Sequence, residues 1–142
     1  MESLKILLEQ VEETYSENDV TSLCLCMLEL AGKTFTNGYK ITTQAVSLDL
    51  IPDISIRILF NNNPLIVIEC KGGNGHASNH YNKSLKQIKN YIEILQYPYG
   101  FLVFPNRSIF LTKGNREANI KAEWENNTLD NTKDIIDTIK DL

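Results

Sequence analysis

Long apolar runs, a cysteine framework and a strong charge of either sign are all missing from this chain of 142 residues. No hydrophobic stretch approaches the ~18 residues of a membrane span. The start Met1-Glu2-Ser3-Leu4-Lys5 lacks the basic-then-apolar form of a secretory leader. No membrane partner is therefore expected, and the chain is expected in the cytoplasm or another reducing compartment. The cysteines fit that expectation: there are three, Cys24, Cys26 and Cys70. An odd number with no paired C-x-x-C spacing excludes both a disulfide scaffold and a structural zinc site, so all three are read as small buried hydrophobes. Neither GxGxxG nor GxxxxGK[ST] occurs, so Gly72-Gly73-Asn74-Gly75-His76 is a turning loop and not a dinucleotide or triphosphate cradle. Histidine is scarce too; His76 and His80 lie four apart but outside any HExxH pattern, which makes them loop residues near a phosphate sooner than a zinc pair.

What is present is ordinary for a globular protein: 42% hydrophobic and 23% charged residues, enough for one domain with a real core. The net charge of −4 argues mildly against a generic nucleic-acid binder. Its distribution is more telling. Residues 1–20 hold six acids and one lysine, and residues 115–142 hold seven acids and four bases. The centre, 21–114, holds nine bases and five acids, so acidic ends flank a mildly basic middle.

Periodicity orders the elements. Leu4, Leu7, Leu8 and Val11 mark a short amphipathic helix. Ser16 reads as the cap of a second, with Asp19 as capping-box partner and Tyr15 and Val20 as a hydrophobic staple. Val20, Leu23, Cys24, Met27, Leu30 and Ala31 form its inner face, and Gly32 stops it. Tyr39 to Val46 reads as a strand, and Ser47 to Ile51 leads into Pro52. Ile54 to Phe60 and Leu65 to Cys70 are β-branched, apolar strands joined by the turn Asn61-Asn62-Asn63-Pro64. A helix from Tyr81 to Gln96, with Leu85, Ile88, Ile92 and Leu95 inward, ends before Pro98. Tyr99 to Phe104 and Ser108 to Thr112 are two further strands. Beyond Gly114 the chain is polar until a last amphipathic helix from Asn131 to Leu142 through Ile135, Ile136 and Ile139, with Trp124 anchoring this tail to the core. The helix between the strands ending at Cys70 and starting at Tyr99 suits a parallel β-α-β crossover. The class is α/β with a central mixed sheet flanked by helices.

The chemistry concentrates between Pro52 and Lys71. Side chains alternate along a strand, so Val67, Glu69 and Lys71 share one face while Ile66, Ile68 and Cys70 share the other. If the strands pair across the Asn-rich turn, Asp53 falls opposite or diagonal to Glu69 and Lys71. Burying two carboxylates and an ammonium at the end of an apolar strand is costly unless they pair or hold a metal. A simple edge salt bridge is the plainer account of such a trio. Gln87 and Tyr91, four apart, share one face of the next helix, with Lys83 a turn earlier.

Pro52-Asp53, then Glu69-Cys70-Lys71, then Gln87-x-x-x-Tyr91 resembles the signature of the PD-(D/E)XK nuclease superfamily. The likeness is to the RecB-like branch and the N-terminal nuclease domain of type I restriction subunits. It spans about residues 16–114 of a single domain over 1–142, with the first helix and the acidic helical tail peripheral. The resemblance implies a restriction-endonuclease-like core and a nuclease hydrolysing nucleic-acid phosphodiesters, DNA first, with Mg²⁺ or Mn²⁺. It implies Asp53, Glu69 and the Cys70 carbonyl as metal ligands, Lys71 as the charge that orients water or stabilises the transition state, and Gln87 and Tyr91 as groups reaching site and backbone. Glu17 matches the glutamate often carried on the first core helix, although acids are favoured in any first helical turn. Glu12 and Glu13 are read as solvated. No motor motif accompanies the site, so a separate motor or partner subunit, or a homodimer as in junction resolvases, is the implied assembly. The alternatives are a catalytically weak or inactive nucleic-acid-binding or assembly module on the same fold, and an RNA- or branched-DNA-specific endonuclease.

Overall fold

The computed structural model describes residues 2–44, 50–114 and 120–142. Helices α1 (Glu2–Thr14) and α2 (Glu17–Leu30) form a hairpin, followed by a 3₁₀ turn at Phe35–Asn37. Strands β1 (Tyr39–Thr43), β2 (Ile54–Ile58) and β3 (Pro64–Cys70) then run as a meander. Helix α3 (Ser78–Leu95) crosses to β4 (Tyr99–Phe104), and β5 (Arg107–Lys113), β6 (Ile120–Asn126) and α4 (Thr132–Lys140) complete the chain. The six strands lie in sequence order in one sheet. Only β3 and β4 pair in parallel, joined by α3 as the crossover, and every other neighbouring pair is antiparallel. Among the described residues no helix is long and apolar enough to cross a membrane.

Strand alternation divides the core in two. Ile54, Ile56, Ile66, Ile68, Cys70, Phe101 and Val103 face α1, α2 and α4. Val67, Leu102, Phe104, Ile109 and Leu111 face α3, which contributes Ile88, Tyr91, Ile92 and Leu95. Full burial of each such aliphatic side chain stabilises by about 1.5–3 kcal/mol, so the sheet cannot slip register without exposing one whole face. The faces expected for Val67 and Ile66–Cys70 are those observed.

Several expectations change. The first helix and the tail are not peripheral: Val11 of α1 and Ile135 and Ile139 of α4 are fully buried in the larger core. In α2 it is Leu28, not Leu30, that joins the buried face. Cys26 is only half-buried, whereas Cys24 and Cys70 are inside; all three thiols are free. Helix α3 begins three residues early, which puts His80 on the helix and not in the loop. Residues 120–126 form a strand that the polar composition concealed, with a bulge opposite Phe110 and Leu111. Trp124 packs against Phe101 and Phe110 and donates from Nε1 to Thr138 Oγ1 at 3.3 Å, anchoring α4 as expected. Val46 and the lead-in Ser47 to Asp49 lie outside the described residues.

Candidate active site

Three pieces of chain converge at the ends of β2 and β3. The β2–β3 register sets Ile54 opposite Ile68, so Asp53 faces Glu69 one step on. Asp53 N–H donates to Glu69 Oε1 at 3.2 Å, and Cys70 N–H donates to Asp53 Oδ2 at 2.8 Å. Lys71 Nζ lies 3.4 Å from Glu69 Oε2, with the glutamate 2% and the lysine 19% exposed at the side chain. Gln44, just past β1, closes the set by donating from Nε2 to Asp53 Oδ1 at 2.9 Å. Asp53, Glu69 and Lys71 are therefore together as the strand geometry required.

The charge balance of this cluster is unfinished. Glu69 is pushed up from 4.5 to about 8, first by burial and then by its hydrogen bond to Asp53 and that residue's charge; Lys71 pulls the other way and is outweighed. One ammonium at the rim does not neutralise two carboxylates this close, so near neutrality the pair retains a proton. A hard divalent cation, which takes carboxylate and carbonyl oxygens, is the natural replacement for that proton. Cys70 adds a suitable carbonyl. Its N–H points to Asp53 while the Lys71 N–H bonds Val103 O on β4 at 2.9 Å. One residue's N–H and C=O project to the same side of a strand, so the Cys70 carbonyl faces Asp53 as well.

Helix α3 braces the other side. Gln87 Nε2 donates to Tyr91 Oη at 2.8 Å, and the Tyr91 hydroxyl donates to the Ile51 carbonyl at 3.2 Å. The buried phenol is pushed up to about 12 by desolvation and then by the Glu69 charge, so it stays a donor. Tyr91 thus fixes the segment two residues before Asp53, while Lys83 stands exposed a turn away.

Glu17 is placed differently. It opens α2 under the Ser16 cap, whose Oγ accepts from Asp19 N–H at 3.2 Å. The expected capping box is only half made: Ser16 N–H donates to Thr14 Oγ1, and it is Thr14 that bonds the Asp19 carboxylate. Tyr15, at φ 51°, gives its carbonyl to Gly73 N–H at 2.8 Å. Gly72 has no room for a side chain, because a Cβ there would stand 2.7 Å from Glu17 N. The α2 start is therefore seated against the residue after Lys71, yet the Glu17 carboxylate is solvent-exposed at the rim. Among the described residues no three His, Cys, Asp or Glu side chains are gathered closely enough to hold a metal.

Sequence reasoning missed Gln44 and Ile51, and it placed His80 near a phosphate but in the loop instead of on α3. The His80 Nε2 lies 3.2 Å from Gly72 O, pinning the loop after Lys71. Gln44 had no local signal, because its place depends on the β1–β2 register: Thr43 faces Ile54, and Gln44 N–H donates to Asp53 O at 3.1 Å. The chain matches no protein-family model, no curated protein and no solved structure with which it was compared.

Proposed function

We propose that this protein is a divalent-metal-dependent nuclease of the PD-(D/E)XK type, hydrolysing phosphodiester bonds of nucleic acid, with DNA as the first substrate. The observation that carries the reading is the pairing of half-buried Asp53 with buried Glu69, whose charge Lys71 fails to cancel. The order α-β-β-β-α-β, with its single parallel pair at β3 and β4, supports the restriction-endonuclease-like core named by the sequence resemblance.

Asp53, Glu69 and the Cys70 carbonyl are the groups that would hold Mg²⁺ or Mn²⁺, with the exposed Glu17 the further acid that the resemblance names. Bound there, the ion would polarise a phosphoryl oxygen and acidify water. The chain's own residues supply the rest. Lys71 keeps a positive charge at the mouth of the site, where it offsets negative charge growing on the phosphate. Tyr91 and Gln87 hold the Ile51–Asp53 backbone still, so the aspartate is pre-oriented.

A second reading keeps the fold and drops turnover: a nucleic-acid-binding or assembly module. It is favoured by the net charge of −4 and by the internal partner that each Asp53 and Glu69 oxygen already has. Cleavage of single-stranded, duplex and branched DNA and of RNA, in Mg²⁺, Mn²⁺ or EDTA, separates the two. Metal-dependent cutting abolished by Asp53→Asn is the expected result, and the preferred substrate names the subclass. Binding that survives Asp53→Asn with no cutting at high enzyme would leave the module standing and remove the nuclease.

A further inference from the structure

A cavity of about 280 Å³ opens beside the carboxylates, lined by Leu50, Ile51, Gln87, Asn90 and Tyr91. We infer that it takes one unstacked nucleobase of the substrate strand, with Asn90 reading the base's hydrogen-bonding edge. The identity of this ligand rests on the nuclease reading above.

Position comes first. Ile51 is two residues from Asp53, no more than ~7 Å of extended chain, so a group in the cavity lies within about one nucleotide step of the carboxylates. The Tyr91 hydroxyl forms the shared wall, hydrogen-bonded to Ile51 O. Composition follows. Ile51 is 45% exposed, and with the half-buried Leu50 it offers an apolar surface to a planar ring. Among the described lining residues, Gln87 has its Nε2 committed to Tyr91, and the Asn90 amide offers the cavity a donor and an acceptor. A primary amide presents donor and acceptor side by side and matches the adjacent donor and acceptor of a base edge, adenine above all. Size and access decide the substrate form. The volume lies at the lower limit of small-ligand pockets, roughly 300–1,000 Å³, and suits one heterocycle but not a base pair. A cleft between a chain segment and a helix admits a base only when it has left the stack. The net charge of −4 agrees, since a protein gripping duplex through many phosphates needs more cations than this one carries.

The inference predicts preference for single strands or frayed ends, with a base preference set next to the cut. The probe is a set of single-stranded oligonucleotides carrying 2-aminopurine at successive positions, bound in Mg²⁺ to the Lys71→Ala protein, with the matching duplexes alongside. Fluorescence should rise at one position on the single strand and far less on the duplex. Adding Asn90→Leu should remove that rise. In the otherwise native protein, Asn90→Leu should raise KM about tenfold, the loss of one bidentate contact, and flatten the base preference. Asn90→Asp, which keeps the shape but loses the donor, should change which base is preferred; circular dichroism checks that both variants fold. If the native protein cuts while both variants keep its KM and base preference, the cavity assignment is overturned and the nuclease reading is untouched. If the native protein binds without cutting, yet shows the Asn90-dependent fluorescence, the cavity stands and catalysis falls. Absence of both signals overturns both.

Discussion

Replacing Glu69 with Gln should flatten the pH dependence of stability, and the size follows from the site. In the folded protein Glu69 stands at about 8 against an ordinary 4.5, because burial and Asp53 outweigh Lys71. Between those values the folded state keeps a proton that the unfolded chain releases. This contribution to stability is therefore whole below pH 4.5, declines as pH rises through 8, and is gone above it. Where the two states differ by a full proton the slope is ~1.4 kcal/mol per pH unit, and the whole window amounts to on the order of 5 kcal/mol. The glutamate is 2% exposed, so solvent screening does little to reduce this. Its coupling to Asp53 spreads the loss over a wider range of pH. The assay is urea unfolding in EDTA from pH 5 to 8.5, followed by the fluorescence of the single tryptophan, Trp124. Wild type should lose several kcal/mol across that range while Glu69→Gln stays nearly level. At pH 8 the variant should be the more stable protein. Parallel curves for the two proteins would refute the buried-pair account. The same logic gives a sign for metal: Mn²⁺ at pH 8 should raise the wild-type midpoint, since it displaces the proton and binds only the folded state, and should have much less effect on Glu69→Gln.

Three further outcomes follow from local geometry. Gly72→Ala should cost about 1–3 kcal/mol in urea unfolding, because its Cβ meets backbone atoms of Glu17 and Tyr15 under 3 Å away and cannot be relieved by a side-chain rotation. Tyr91→Phe removes the hydroxyl that holds Ile51; it should cost about 1–2 kcal/mol and speed hydrogen exchange at the Asp53 amide, and unchanged exchange would refute the bracing role. Ser16→Ala should cost about 1 kcal/mol through loss of the α2 cap, read as a lower melting temperature with the far-ultraviolet spectrum kept.

Much of this fold was legible because two periodicities were clean. The strand alternation through Ile66–Cys70 set which side chains face α3, but the β2–β3 register was less legible. Strand β2 ends at Ile58 and not Phe60, Leu59 and Phe60 lie in the turn, and Pro64 opens β3. A shift between Ile56 and Arg57 completes the register that brings Asp53 to Glu69. The 18-residue α3 was legible from Ile88, Ile92 and Leu95, and its length forced the parallel crossover. The sixth strand was not, because a bulge opposite Phe110 and Leu111 breaks its alternation. Trp124 packs on the α1, α2 and α4 side of the sheet and Ile120 on the α3 side, while Lys121, Ala122, Glu123 and Glu125 are exposed and make the segment read as polar loop. At the site, Asp53, Glu69, Lys71, Gln87 and Tyr91 share two adjacent elements, and local spacing was enough to place them. Gln44 reaches the site through the β1–β2 register, which sets it opposite Asp53, and Ile51 through the Tyr91 hydroxyl; neither pairing shows in local spacing. Glu17 was legible as a helix start but not as a rim residue, since that depends on how tightly Gly72 seats the α1–α2 junction.

Single-turnover cleavage of a labelled single-stranded DNA in Mg²⁺, wild type against Lys71→Ala, tests the central claim most directly. Unlike loss of Asp53 or Glu69, loss of Lys71 leaves both carboxylates and the Cys70 carbonyl in place. The account predicts that wild type cuts, that EDTA stops it, and that Lys71→Ala binds the same strand and Mn²⁺ but cuts at least about a hundredfold more slowly. Cutting by Lys71→Ala at the wild-type rate, or no cutting by wild type at stoichiometric enzyme, would contradict it.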